Sequence, residues 1–245
     1  MLEIRHEKMD DTRATLLAYD RLYAEKGIRL KDSFYLWLIS LLNAGTGARL
    51  LDISCGEGRL VALARRQGLS AIGIDFARVA VKVGQSQDPN AGWLVGDGES
   101  LPIASASADF VTHIGSLEHY QHPKIGMREI CRVLKPDGIA CILLPNSFGL
   151  VGNIQHVWLT GDIFDDGQPL QRYNTIRGWK ELLDISGLVS FKTLKYEREW
   201  PRTRADLVWY LSHPIKIARL VFSLFVPLNL ANCFVFLCRR MDSQP

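Results

Sequence analysis

Cysteine is scarce and unpatterned in this chain of 245 residues: Cys55, Cys131, Cys141, Cys233 and Cys238 are odd in number and form no CxxC pair and no metal-ligand spacing. That argues against a disulfide framework or a structural zinc site, and reduced thiols in a cytoplasmic protein are the simplest account. The first residues, MLEIRHEKMDD, are charged throughout and lack the apolar stretch of a signal peptide, which again places the expectation in the cytoplasm. A dominant charge is missing too. Lys and Arg number 29 against 26 Asp and Glu, a net +3, and no basic cluster with interleaved aromatics appears, so no nucleic-acid partner is expected. The surplus is localised: residues 201 to 245 hold Arg202, Arg204, Lys216, Arg219, Arg239 and Arg240 against Asp206 and Asp242.

Apolar residues, at 47% of the chain, suffice to bury the core of one large domain. Short runs rich in Ile, Leu and Val, at 50–53, 71–74, 93–95, 109–114 and 139–144, have the pattern of strands buried on both faces. Helical patterns lie between them at 57–67, 77–86 and 124–134, the last stopped by Lys135, Pro136, Asp137 and Gly138. Strands alternating with helices imply a parallel sheet covered on both sides, with ligands bound at the carboxyl ends of its strands. Two further helices are expected before the first strand, at 11–25 and 31–44, and either could fold over that edge, making Tyr19 and Tyr23 candidate ligand contacts or simply packing aromatics.

The stretch 49–58, RLLDISCGEG, ends an apolar run in Asp52 and turns at once through Ser54, Gly56 and Gly58. Asp75 closes the next apolar run, 23 residues later. A strand that turns directly into a helix leaves backbone N–H groups free to meet a carboxylate or phosphate, and glycine allows close approach and positive φ. A carboxylate ending the next strand suits the two hydroxyls of a ribose. One glycine turn alone is as often purely structural, and the joint spacing is what points to a nucleoside cofactor.

These residues, with the segments that follow in order, resemble the class I S-adenosylmethionine-dependent methyltransferases, in particular the small-molecule branch, over about residues 48–146. DISCGEG resembles the family's first motif, and the resemblance places Asp52, Ser54, Cys55, Gly56 and Gly58 beside the methionine part of the cofactor. It assigns Asp75 to the ribose, Phe76 to the adenine, and, in GDGESLPI, Asp97 to the adenine amino group with Gly98 and Glu99 lining the base. IGSLEHYQHP and REICRVLKPDGIACILLPN resemble the segments after the fourth strand and around the fifth, which adds Ile114 to the cofactor contacts, with Tyr23 from the first helix. Ser54 departs from the family, which has glycine there. The fold implied is α/β, a Rossmann-like seven-stranded, mostly parallel sheet with helices on both faces. Residues 1–46 would form an N-terminal helical cap, 47–146 the cofactor core, 147–232 an acceptor-side lid and insertion, and 233–240 the final strand.

A sulfonium methyl is already activated, so the protein must align an acceptor and exclude water, and a hydroxyl or ammonium acceptor also needs a base. His119 is the candidate base and Glu118 its neighbour, both just past the fourth strand; either could instead cap the segment that follows. A metal site of Glu118, His119 and His122 has suitable donors, but adjacent residues rarely aim at one ion, and none is expected. His113, inside an apolar strand, reads as a core histidine, and His156 adds little.

Beyond residue 146, a loop at 147–174 reads as a lid with one short helix, followed by a helix over 172–188 with Thr175 as N-cap and Gly187 as stop. Strands at 189–196 and 233–238 would complete the sheet. Leu220 to Cys238 is a run of 19 residues without charge, about the length of a membrane span, but Pro227, Asn229 and Asn232 interrupt it and CFVFLC suits the last strand. Residues 205–226 read instead as one amphipathic or apolar helix, suited to a membrane surface or a greasy acceptor, or equally to packing over the sheet or a homodimer interface. The expected function is methyl transfer to a small molecule or a glycan or lipid intermediate, at oxygen. A nicotinamide-dependent oxidoreductase is disfavoured because no GxGxxG follows the strand and YAEK, at 23–26, precedes the nucleotide motif; a non-catalytic cofactor-binding protein is the remaining reading.

Overall fold

A computed structural model describes residues 1–6, 12–25, 27 and 30–243. Seven strands form one sheet: β2 (Arg49–Ile53), β3 (Ser70–Asp75), β4 (Gly92–Val95), β5 (Ala108–Ile114), β6 (Leu134–Pro145), β8 (Leu188–Tyr196) and β9 (Cys233–Arg240). Their spatial order is β4-β3-β2-β5-β6-β9-β8, parallel except where β9 pairs antiparallel with both β6 and β8. The chain runs outward from β2 through β3 to β4, then returns to the other side of β2 at β5. That reversal opens a crevice at the carboxyl ends of β2 and β5.

Each sheet face carries its own apolar layer. On one side Met127 and Ile130 of α5 (Pro123–Val133) and Trp179 and Leu183 of α7 (Ile176–Ile185) pack on Val111, Ile142 and Phe236. On the other, Phe34 and Leu38 of α2 (Asp32–Leu42) and Leu60 and Val61 of α3 (Arg59–Arg66) cover Leu50, Leu143 and Val235. All are essentially inaccessible to water, and each such side chain contributes about 1.5–3 kcal/mol by burial. This two-faced burial is why the strands read as continuous apolar runs.

The first two helices divide their work. α1 (Thr12–Glu25) lies against α4 (Arg78–Gln87) and reaches the carboxyl edge of the sheet, whereas α2 packs on a sheet face and does not cover that edge.

Three elements differ from the sequence expectation. A second sheet, β1 (Leu2–Arg5) antiparallel to β7 (Leu170–Tyr173), takes residues 172 and 173 out of the expected helix, which starts only at Ile176. Thr175 is its N-cap as expected, its side chain accepting from Gly178 N at 3.1 Å. The single helix expected at 205–226 is two, α8 (Arg204–Leu211) and α9 (Pro214–Phe222), because Pro214 has no N–H to donate and opens a helix rather than continuing one. β6 begins at Leu134, so Lys135–Gly138 enter the strand instead of forming a separate stop. The short lid helix is α6 (Gln155–Thr160). No helix among the described residues is long and apolar enough to cross a membrane.

Candidate active site

Segments from six places meet at the crevice and enclose a cavity of about 340 Å³. Tyr19 and Tyr23 come from α1, Ser54 from the turn after β2, Asp75 and Phe76 from the end of β3, Asp97 to Glu99 from the end of β4, Gly115, Ser116, His119 and Tyr120 from the segment after β5, and Gln168 from the approach to β7. The volume lies at the lower end of the range for small-molecule sites.

The turn after β2 alternates between ordinary and left-handed backbone: Ser54 has φ +55°, Gly56 +53° and Gly58 +71°. Glycine adopts this region freely, whereas serine pays about 1–2 kcal/mol for its Cβ. The Ser54 hydroxyl lies 2.8 Å from the Tyr120 hydroxyl, a buried bond that offsets part of that cost. Gly58 is fixed by packing: a Cβ there would stand 1.9 Å from the Trp93 ring. At Gly56 it would stand 2.9 Å from Tyr23 Oη.

Asp75 is buried, and its two oxygens accept from Gly56 N and Ala77 N, each at 2.8 Å. Burial pushes its pKa up to about 6 despite those bonds. Asp75 lines the cavity, and a carboxylate there suits the two hydroxyls of a diol. Asp97 Oδ1 accepts from Glu99 N at 2.8 Å, and Glu99 Oε1 from His122 N at 2.7 Å, so the loop after β4 is tied to the start of α5. Gly98 is needed because a Cβ would fall 1.8 Å from Tyr120 Oη.

Tyr120 Oη also meets His113 Nε2 at 2.9 Å, so a hydroxyl, a phenol and an imidazole run in line from the turn into the sheet. His113 is wholly buried, its Nδ1 has no hydrogen-bond partner among the described residues, and desolvation lowers its pKa to about 3. It is therefore a neutral core histidine.

His119 Nδ1 lies 2.5 Å from the carbonyl oxygen of Leu170, a geometry in which Nδ1–H donates and Nε2 is left as an acceptor. Burial lowers its pKa and keeps the ring neutral. Nε2 stands 3.9 Å from Glu118 Oε1. Glu118 is buried with Oε2 unpartnered among the described residues, and desolvation raises its pKa to about 8, so it holds a proton at neutral pH.

Of the residues singled out in the sequence, Tyr19, Tyr23, Ser54, Asp75, Phe76, Asp97, Gly98, Glu99, His119 and His122 line the cavity. Asp52, Cys55, Gly56, Gly58, Ile114 and Glu118 do not. Asp52 sits beneath the turn, accepting from Thr112 Oγ1 at 2.6 Å, with its pKa raised by burial to about 7. The Cys55 thiol points back at Gly73 under Trp93, and Ile114 packs into the apolar layer on the α2 side. Glu118 stands behind His119. Tyr120, Ser116 and Gln168 escaped the sequence reading, as did Arg172. Its buried guanidinium donates to the carbonyls of Tyr120 and Gln121 and, at 2.7 Å, to Glu3 Oε2, clamping the 118–121 segment to the small sheet. No three His, Cys, Asp or Glu side chains among the described residues are placed to hold a metal.

Residues 51–142 match the family described as "Methyltransferase domain". Among curated relatives, a demethylmenaquinone methyltransferase of Renibacterium salmoninarum is 33% identical over 101 residues, covering 41% of this chain and 43% of the relative. A 2-phytyl-1,4-naphtoquinone methyltransferase of Thermosynechococcus vestitus is 31% identical over 131 residues, covering 51% and 58%. The chain thus spans about half the length of these relatives. A crystallised S-adenosylmethionine-dependent methyltransferase from Mesorhizobium loti superposes with a TM-score of 0.61 at 16% identity, covering 85% of this chain and 98% of that one, which speaks to the fold.

Proposed function

We propose that the chain, whose residues 51–142 match the methyltransferase domain family, is a class I S-adenosylmethionine-dependent methyltransferase that moves a methyl group to a hydroxyl oxygen of a small molecule. The cofactor, when bound, supplies a methyl already activated on a sulfonium sulfur. The residues present suit its nucleoside. Asp75 would accept from the ribose hydroxyls, Phe76 and Gly98 would flank the base, and Asp97 would receive its amino group. Tyr19 and Tyr23 of α1 cover the cavity and keep water from the reacting atoms. The two relatives named for quinones favour a small-molecule acceptor.

The observation that carries the assignment to oxygen is the fixed tautomer of His119. With Nδ1–H given to Leu170 O, the neutral Nε2 of His119, a residue that lines the cavity, would be the atom to take the hydroxyl proton as the oxygen attacks. Glu118, protonated and with Oε1 3.9 Å from Nε2, adds no second charge beside the ring, which Leu170 O orients. A base of this kind contributes about 10²–10⁴-fold in rate.

Incubation with methyl-labelled S-adenosylmethionine and fractionated metabolite extract, followed by mass spectrometry and NMR of the labelled product, tests this reading. Label on oxygen, with turnover at least about 10²-fold lower in His119→Ala, is the expected result. Label on carbon or nitrogen, or an undiminished rate in the variant, would overturn it.

A further inference from the structure

We propose that the face built by α6, α9 and the turn at 223–226 docks on a lipid bilayer bearing anionic headgroups. Side chains of a kind normally withdrawn from water stand out here: Trp158 is 81% exposed, Phe225 77% and Ile215 72%. Trp158 of α6 lines a shallow apolar groove together with Arg219 and Phe222 of α9, Ile215 lies one turn before Arg219 on the same side of that helix, and Phe225 follows three residues after Phe222. A contiguous exposed apolar area of this sort marks an interaction site.

The turn that carries Phe225 is held rigid. Lys195 Nζ donates to the carbonyl oxygens of Ser223 and Leu224 at 2.9 Å and of Val226 at 2.6 Å, so Leu224 and Phe225 project from a pinned backbone. Little ordering entropy then remains to be lost when they enter an interface.

Charge selects the partner. No acidic residue occurs from 138 to 161 or from 207 to 241, the two stretches that supply this face. Lys216 and Arg219 form no ion pair among the described residues, and Ile215, Arg219 and Phe222, at i, i+4 and i+7, share one side of α9. On α6 and α9, aromatic and aliphatic groups interleaved with cations that form no ion pair among the described residues complement an anionic bilayer surface; the carboxylates nearest the turn are Glu197 and Glu199, which line a separate pocket with Ser223 and Leu224. With no helix among the described residues long enough to span, the protein would lie on the membrane.

The proposal is independent of the acceptor and of the base. Flotation with vesicles of phosphatidylcholine alone, and of phosphatidylcholine with phosphatidylglycerol in equal parts, tests it on the full chain. The protein should float with the anionic vesicles, stay behind with the neutral ones, and be released by high salt. Lys216→Glu with Arg219→Glu, and separately Phe225→Ser with Trp158→Ser, should each weaken partition about tenfold or more while leaving the unfolding midpoint in place. Failure to float with anionic vesicles, or equal flotation of the variants, would overturn it. So would sedimentation velocity showing a wild-type dimer that Phe225→Ser dissociates, because the face would then belong to a second copy.

Discussion

The hydroxyls of Ser54 and Tyr120 meet at 2.8 Å, and the same Tyr120 oxygen lies 2.9 Å from His113 Nε2. Serine thus stands where the family has glycine by virtue of a partner on the segment after β5. Its left-handed backbone is held from the side chain.

Substitutions at Ser54 should separate strain from bonding. Ser54→Ala keeps the Cβ penalty and loses the bond, and should lower stability by about 1–2 kcal/mol. Ser54→Gly relieves the strain as it loses the bond, and should fall within about 1 kcal/mol of wild type. Urea unfolding measures both, and an alanine variant as stable as wild type would contradict the account.

Gly58 should tolerate nothing larger. With φ +71° and a Cβ 1.9 Å from Trp93, Gly58→Ala should cost about 3 kcal/mol or more and abolish cofactor binding. Trp93→Leu should recover part of that loss in the double variant. Purely additive effects would show that the Trp93 ring is not the obstacle.

Stability of the cofactor-free protein should fall between pH 6 and 8. Asp75, Asp52 and Glu118 have folded-state pKa values near 6, 7 and 8, all above their unfolded values, so the folded state binds more protons in this window. The slope of unfolding free energy with pH is then negative: stability present at low pH is lost as pH rises through those values. His113 and His119, whose pKa values are lowered, act oppositely and remove stability on acidification below about 6.5. Thermal unfolding across the window checks the sign, and Glu118→Gln should flatten its upper part.

Turnover should follow the neutral form of His119. Because burial lowers its pKa, the acid limb of the pH–rate profile should lie below the ordinary histidine value of 6.5, with no further rise above it. An acid limb that persists unchanged in His119→Ala would assign it elsewhere.

Much of the core was legible because two-faced burial leaves an unbroken apolar run: the strands ending at Ile53 and Asp75 lie within a residue of where the pattern put them. Pro214 was legible in principle, yet the apolar stretch around it suggested one helix. The β1–β7 sheet was not, since Leu2–Arg5 pairs with residues more than 160 positions away and neither strand has a local pattern of its own. Arg172 depends on that pairing. Gly58 shows another limit: its positive φ is readable from a turn, but the Trp93 ring beneath it comes from a distant strand.

Calorimetric titration with S-adenosylmethionine tests the central claim most directly. Wild type should bind one equivalent, and Asp75→Ala should bind at least about tenfold more weakly, as expected for loss of hydrogen bonds to a charged group. Asp75→Asn keeps one of the two acceptors used by Gly56 N and Ala77 N and turns an amide donor on the other, so circular dichroism and thermal unfolding of each variant serve as the check that the fold survives. No binding by wild type, or equal affinity in Asp75→Ala, would contradict the assignment of the cavity.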